Sequence, residues 1–422
     1  MKKILFLICL FSVSFYSCAI RNAISPTTRG LDAERTFYGQ MINNGKTVGW
    51  FNIKSKLLTT SDHLAIYIQT KFSNTYTGPK DIGIYGLNKM VQEFEYRYDD
   101  MTNIYGGHSD VDGNGKIIIL LMDINVRSGG GSSTLGYFNP QDMHGYNEGE
   151  ILYMDLSNAN HSIDKSIGTL IHEFQHLINY NYVASGKRRE MDSWLNESLS
   201  ESTSILFDKA TVKSRIGEFN GINYYCFYTW DIPTNVSNNG KSNGLVNYPS
   251  ASVFMNWLYQ TNGNKWDIFK NIAQSTENSD WNKVLTAAKQ ISGLSGVSSW
   301  EDLLLTWMSE VVSNGITSEG VKATNNMASG NINLYPGAMI VCSNVSSGLT
   351  NNVVSRTNTN SGKNSIIVLN KETTLNLQGY VPKNVSVTSS TTKSRARRSV
   401  ENKEENQIIN ILLDRNGNIK KY

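Results

Sequence analysis

From Arg35 to Lys71 apolar and polar residues alternate, as in "TVGWFNIKSKLL" and "HLAIYIQTKF", the period-two pattern of antiparallel strands. The period then changes. Ile84, Leu87, Val91, Phe94 and Tyr98 recur at spacings of three and four, predicting an amphipathic helix from about Asp81 to Met101. A glycine-bearing turn, "DVDGNG", leads into an unbroken apolar run from Lys116 to Asp123, the pattern of a strand buried on both faces. "TLGYF" at Thr134 to Phe138 and "GEILYMDLS" from Gly149 predict two more strands. Asp164 is placed to cap a helix running to about Tyr182, and a further helix begins near Asp192.

A polar, aromatic stretch from Thr211 to Asn247 carries no clear period. Helical spacing resumes in "PSASVFMNWLYQ", "KWDIFKNIAQ", "WNKVLTAAKQI" and "SWEDLLLTWMSEVV". Beyond about Gly330 the composition shifts to Asn, Ser, Thr and Val, with the strand-like runs "AMIVCS", "NSIIVLN" and "TLNLQGYV". This reads as a β-rich module over 331–422 with a flexible link near 389–406, where apolar residues are sparse. "INILLDRNGNIKKY" has the Asn-Gly turn of a terminal hairpin.

Composition changes the picture at the start of the chain. Of 422 residues, the first eighteen place Lys2 and Lys3 before an apolar run from Ile4 to Phe15 and then small residues, the layout of an export signal and too short to span a bilayer. Cys18 follows Ser17 as in a bacterial lipobox, so the expected location is outside the cell, either held to the envelope by a lipid on Cys18 or secreted after cleavage at Ala19. Without the leader the chain is close to neutral, which argues against nucleic acid or an anionic membrane surface as partner. Cys226 and Cys342 alone remain in the folded part. They form one bridge or stay as two buried thiols, and a disulfide framework is excluded.

The candidate chemistry lies in "GTLIHEFQHLINYN". On a helix His172 and His176 stand one turn apart and can offer ring nitrogens to one metal ion, with Glu173 beside it. The competing reading is two structural histidines, but the flanking residues are uncharged, so Glu173 is the single charge added to a buried helix. No histidine follows His176, so a third ligand must be a carboxylate. "DSWLNESLSE" offers Glu197 and Glu201 on one helical face, one to bind zinc and the other to support a histidine. A second cation is also suggested. Asp110, Asp112, Asn114 and Gly115 match the opening of a calcium loop, although its twelfth position, which should carry a bidentate Glu, is Leu121.

These motifs resemble the gluzincin zinc metallopeptidases, and the order "GKIIILLMDIN", "GYF", "ILYMDLS", "TLIHEFQHLINY", "WLNESLSE", "NYPSASVFMNWLY" is most similar to the hyicolysin family over about Gly107 to Val312. The resemblance implies an α+β fold: a two-lobed zincin-like domain with a sheet lobe over 30–183 and a helical lobe over 184–330, followed by the β-rich module. It implies that Glu197 is the third zinc ligand, and that Glu201 stands where the family has an Asp orienting the first zinc histidine. Tyr248 becomes the expected oxyanion donor, with Tyr224, Tyr225 and Tyr228 as competitors and simple packing as the alternative. Gly136, Tyr137 and Phe138 become the edge strand that binds an extended substrate. The implied activity is hydrolysis of peptide bonds within proteins, with Glu173 as general base. Two alternatives are an adhesin on an inactive protease scaffold and an aminopeptidase. The first should have lost Glu173 or a ligand, and the second needs an acidic residue in an edge strand that "LGYF" lacks.

Overall fold

The computed structural model describes residues 30–43, 46–70, 83–125, 134–221, 227, 230 and 243–314, with short strands between 333 and 376. The leader with Cys18, the tyrosines 224, 225 and 228, Cys226, the link near 389–406 and the terminal segment lie outside the described residues.

The alternating region forms β1 (Glu34–Asn43), β2 (Lys46–Thr60) and β3 (Leu64–Gln69), paired antiparallel. The helix α1 (Gly83–Tyr105) then crosses to β4 (Ile117–Met122), which runs parallel to β3. β6 (Ile151–Asp155) pairs parallel to β4, and the short β5 (Gly136–Phe138) pairs antiparallel to β6. The order β1-β2-β3-β4-β6-β5 leaves β5 at the sheet edge.

The period of two sorts each strand between two cores. Leu64, Ile66, Ile117, Ile119, Leu121, Leu152 and Met154 face the helices, whereas Tyr67, Ile118, Leu120, Ile151 and Tyr153 pack with Phe37 and Ile53 on the other side. This two-sided burial is why the run in β4 is unbroken. The second face is closed in part by the segment around Asp142. Tyr153 donates to its carboxylate at 2.9 Å, and Asn147 bridges it to the Tyr38 carbonyl.

On the helical side lie α2 (Leu156–His161), α3 (Ile163–Ala184) and α4 (Ser193–Phe207). Ser162, rather than Asp164, holds the N-cap position of α3 because α2 ends directly before it. Asp164 sits in the first turn and pairs with Lys89 at 2.5 Å. The structure corrects the reading of 211–247. α5 (Lys209–Gly221) occupies its start, with Asp208 accepting from the Ala210 and Thr211 amides, and α6 (Asn243–Thr261) begins well before Pro249. Val212, Ile216 and Phe219 are the buried residues of α5 at helical spacing, a narrow stripe that the intervening polar residues mask.

α7 (Asp267–Ala273), α8 (Asp280–Lys289) and α9 (Trp300–Asn314) complete the helical part. Among the described residues no helix is long and apolar enough to cross a membrane. Further on, β7 (Asn333–Leu334) pairs with β11 (Leu375–Asn376). β8 (Met339–Cys342) and β9 (Val353–Asn358) flank β10 (Ser365–Asn370). β9, from "VVSRTN", has no apolar alternation beyond its first two residues.

Candidate metal centre

α3 and α4 pack side by side and bring three ligand atoms together. His172 and His176 lie one turn apart on α3, and Glu197 Oε2 on α4 stands 3.4 Å from His172 Nε2 and 3.6 Å from His176 Nε2. All three side chains are buried. His172 Nε2 and Glu197 Oε2 have no hydrogen-bond partner, a costly state for buried polar atoms unless something bridges them. A tetrahedral ion with bonds of about 2.1 Å separates its ligand atoms by about 3.4 Å. The separations and the donor set of two imidazoles and one carboxylate therefore fit a zinc ion with an open fourth position.

Ser200, one turn beyond Glu197, packs against the imidazole of His176. Its hydroxyl donates to Gln175 Oε1 at 2.5 Å, and its oxygen lies against the imidazole, 3.1 Å from Nδ1 and 3.2 Å from Nε2. Burial pulls the His176 pKa down, but Glu197 overrides it and lifts the value to about 9. Burial pushes the Glu197 carboxyl up, yet His176 and His172 bring it down to about 2. His176 and Glu197 thus each favour the charged form of the other, and a bound cation would supply the positive charge that a proton on His176 otherwise provides.

Glu201 lies one turn after Glu197 along α4, its Oε1 4.0 Å from His172 Nδ1. That is beyond hydrogen-bond range. Both of its oxygens accept from Arg215 of α5, from Nε and Nη2, each at 2.9 Å. Arg215 also lies over the ring of Tyr248, 4.8 Å from its centroid. Tyr248 is buried in α6, its ring 6.2 Å from that of His172 and edge-on to Trp230.

Glu173, next to His172 on α3, points toward the sheet edge. Its Oε2 accepts from the Phe138 amide of β5 at 3.0 Å. Burial raises its pKa, partly offset by His176 and His172. Gly136 allows this approach: a Cβ there would stand 2.8 Å from the Tyr153 carbonyl and 3.1 Å from Thr169 Cγ2 of α3. Gly136→Ala is therefore expected to push β5 from its place and to destabilise the fold by about 1–3 kcal/mol. Chemical denaturation of the two proteins measures the difference.

Two residues of this surround, Ser200 and Arg215, were not singled out from the sequence. Ser200 follows Glu197 by three, so the helical face that pairs Glu197 with Glu201 also contains it. Arg215 lies on another helix, and no spacing points to it. α4 itself is buried nearly all round despite its serines. Ser198, Ser202 and Thr203 return their hydroxyls to carbonyls of the preceding turn, at 2.6, 2.6 and 2.7 Å, which makes that burial tolerable.

No family model matches the chain. A neutral metalloprotease, ShpI of Staphylococcus hyicus, is 30% identical over 225 residues, 49% of this chain. The chain spans 50% of that relative's length.

Proposed function

We propose that this chain is a zinc-dependent endopeptidase that acts outside the cell on protein substrates. The observation that carries the reading is the convergence of His172, His176 and Glu197 on one point, with two of the three atoms unsatisfied and Glu173 alongside. Similarity to a neutral metalloprotease supports the same activity. The export signal read from the leader is the basis for the location.

His172, His176 and Glu197 hold the metal in this reading. Zinc, when bound, supplies a Lewis acid that lowers the pKa of a water toward about 7 and polarises the substrate carbonyl. Glu173 accepts the proton of the attacking water and returns it to the departing amine. The Phe138 amide restrains the Glu173 carboxylate beside the sheet edge. By the two-residue alternation, Gly136 presents its amide and carbonyl on the same outward side as Phe138, where an extended peptide can pair with β5.

Tyr248 is assigned to donate to the oxyanion, supported by its place beside the His172 ring. Arg215, stacked on that tyrosine and paired with Glu201, links the oxyanion donor to the carboxylate nearest His172 Nδ1.

The test is digestion of a denatured protein by the purified chain. About one zinc per chain is expected, with activity lost to a chelator and restored by zinc. A metal-free chain that cleaves at the full rate overturns the reading.

A further inference from the structure

We propose that Asp110, Asp112 and Glu150 form a second metal site, for calcium, that clamps the turn before β4 to the start of β6. It is independent of the zinc reading.

Ligand oxygens of these three carboxylates lie within 4.8 Å of one another. Two of the residues are buried: Asp112 is 3% exposed and Glu150 is 0% exposed. Glu150 sits immediately before β6, and its Oε1 accepts from the Val111 amide at 2.9 Å, which holds it against the turn. Its Oε2 is buried with no hydrogen-bond partner. The Ser109 hydroxyl contacts Met143 Sδ at 3.9 Å and lies close enough to Glu150 to hold its pKa down, but it is not within hydrogen-bond range of Oε2. An ionised oxygen buried without a donor, beside two further carboxylates, needs a cation or a proton.

The turn has arranged the two aspartates as ligands. Asp110 Oδ1 accepts from the Gly115 amide at 3.1 Å, and Asp112 Oδ2 accepts from Asn114 Nδ2 at 2.7 Å. Each oxygen keeps a lone pair. Gly149 brings the strand entry close, since a Cβ there would meet Asp112 Oδ2 at 3.0 Å. An all-oxygen set on a flexible turn suits a hard ion of variable coordination, which is calcium rather than zinc.

The electrostatics agree. Burial raises the Asp112 pKa to about 6, with Glu150 and Asp110 adding to the rise and Arg35 opposing it. Burial likewise raises Glu150, against the lowering from the Ser109 hydroxyl and the Val111 amide, and Asp110 adds to the rise. Arg35 offsets one of three negative charges and leaves the cluster short of neutral.

The sequence motif failed at its twelfth position, Leu121, because that residue lies inside β4. The acid that replaces it comes from 38 residues after Asp112 in the chain, which only the β4–β6 pairing brings near.

Equilibrium dialysis of the purified chain against calcium tests the site. Wild type should bind about one calcium per chain at millimolar or lower concentration, and its Tm should rise by several degrees with calcium and less with magnesium. Glu150→Gln keeps the Val111 bond and should weaken calcium binding by at least about tenfold. Asp110→Asn, at an exposed position, should also weaken it and guards against misfolding of the first variant. His172→Ala should bind calcium as wild type does. No saturable binding at millimolar calcium overturns the proposal, as does binding that both carboxylate variants leave unchanged.

Discussion

Glu173→Gln should lower the rate of peptide hydrolysis by at least about a hundredfold while the chain keeps its zinc. The two effects separate because Glu173 is not one of the converging ligands. Those are His172, His176 and Glu197. Glutamine also keeps the local contact, since its amide oxygen accepts from the Phe138 N–H as the carboxylate does at 3.0 Å. What it loses is the basic oxygen. Alanine would be a poorer test, because it leaves the Phe138 amide unpaired and frees the sheet edge, mixing a structural loss with a chemical one. The measurement is kcat on a quenched peptide together with zinc content by mass spectrometry. Near-normal kcat in the glutamine variant would show that Glu173 is not the base.

Much of the helical and sheet pattern was legible because burial has a period. α1, β4, β6 and α3 each repeat their apolar residues in the way their surroundings require, and β4 is unbroken because it has a core on either face. Residues near in sequence were legible for the same reason. His172 and His176 share one helical face, as do Glu197, Ser200 and Glu201, so two local patterns contain most of the centre.

What sequence conceals is contact between elements. The Phe138 amide reaches Glu173 only because β5 lies at the edge beside α3. Arg215 reaches Glu201 from α5, a helix whose apolar stripe is too narrow to declare itself. Glu150 joins Asp110 and Asp112 by way of strand pairing. In each case the missing term is the order of strands or the packing of helices, which no spacing encodes.

Glu197→Ala and Glu201→Ala should differ sharply in metal content, although the sequence presents the two acids as near equals one turn apart. Glu197 Oε2 lies 3.4 and 3.6 Å from the two imidazole nitrogens and has no other partner. Its removal leaves zinc two protein ligands, and the variant should purify nearly empty. Glu201 faces Arg215 with both oxygens and stands 4.0 Å from His172 Nδ1. Its removal leaves the guanidinium above Tyr248 with Glu218 as its acidic partner, and leaves His172 Nδ1 without a nearby carboxylate. Loss of such support typically costs about 10 to 100-fold in affinity or activity, so this variant should still fill at high zinc. Titration of both proteins against a competing chelator gives the ranking. Because Glu201 is buried against a half-buried Arg215, Glu201→Gln is the useful companion: it retains one acceptor for the guanidinium and should recover part of the affinity. If Glu201→Ala proves the emptier site, the ligand is Glu201 and the helix must turn to bring it in, which the 4.0 Å separation and the bidentate pair with Arg215 both oppose.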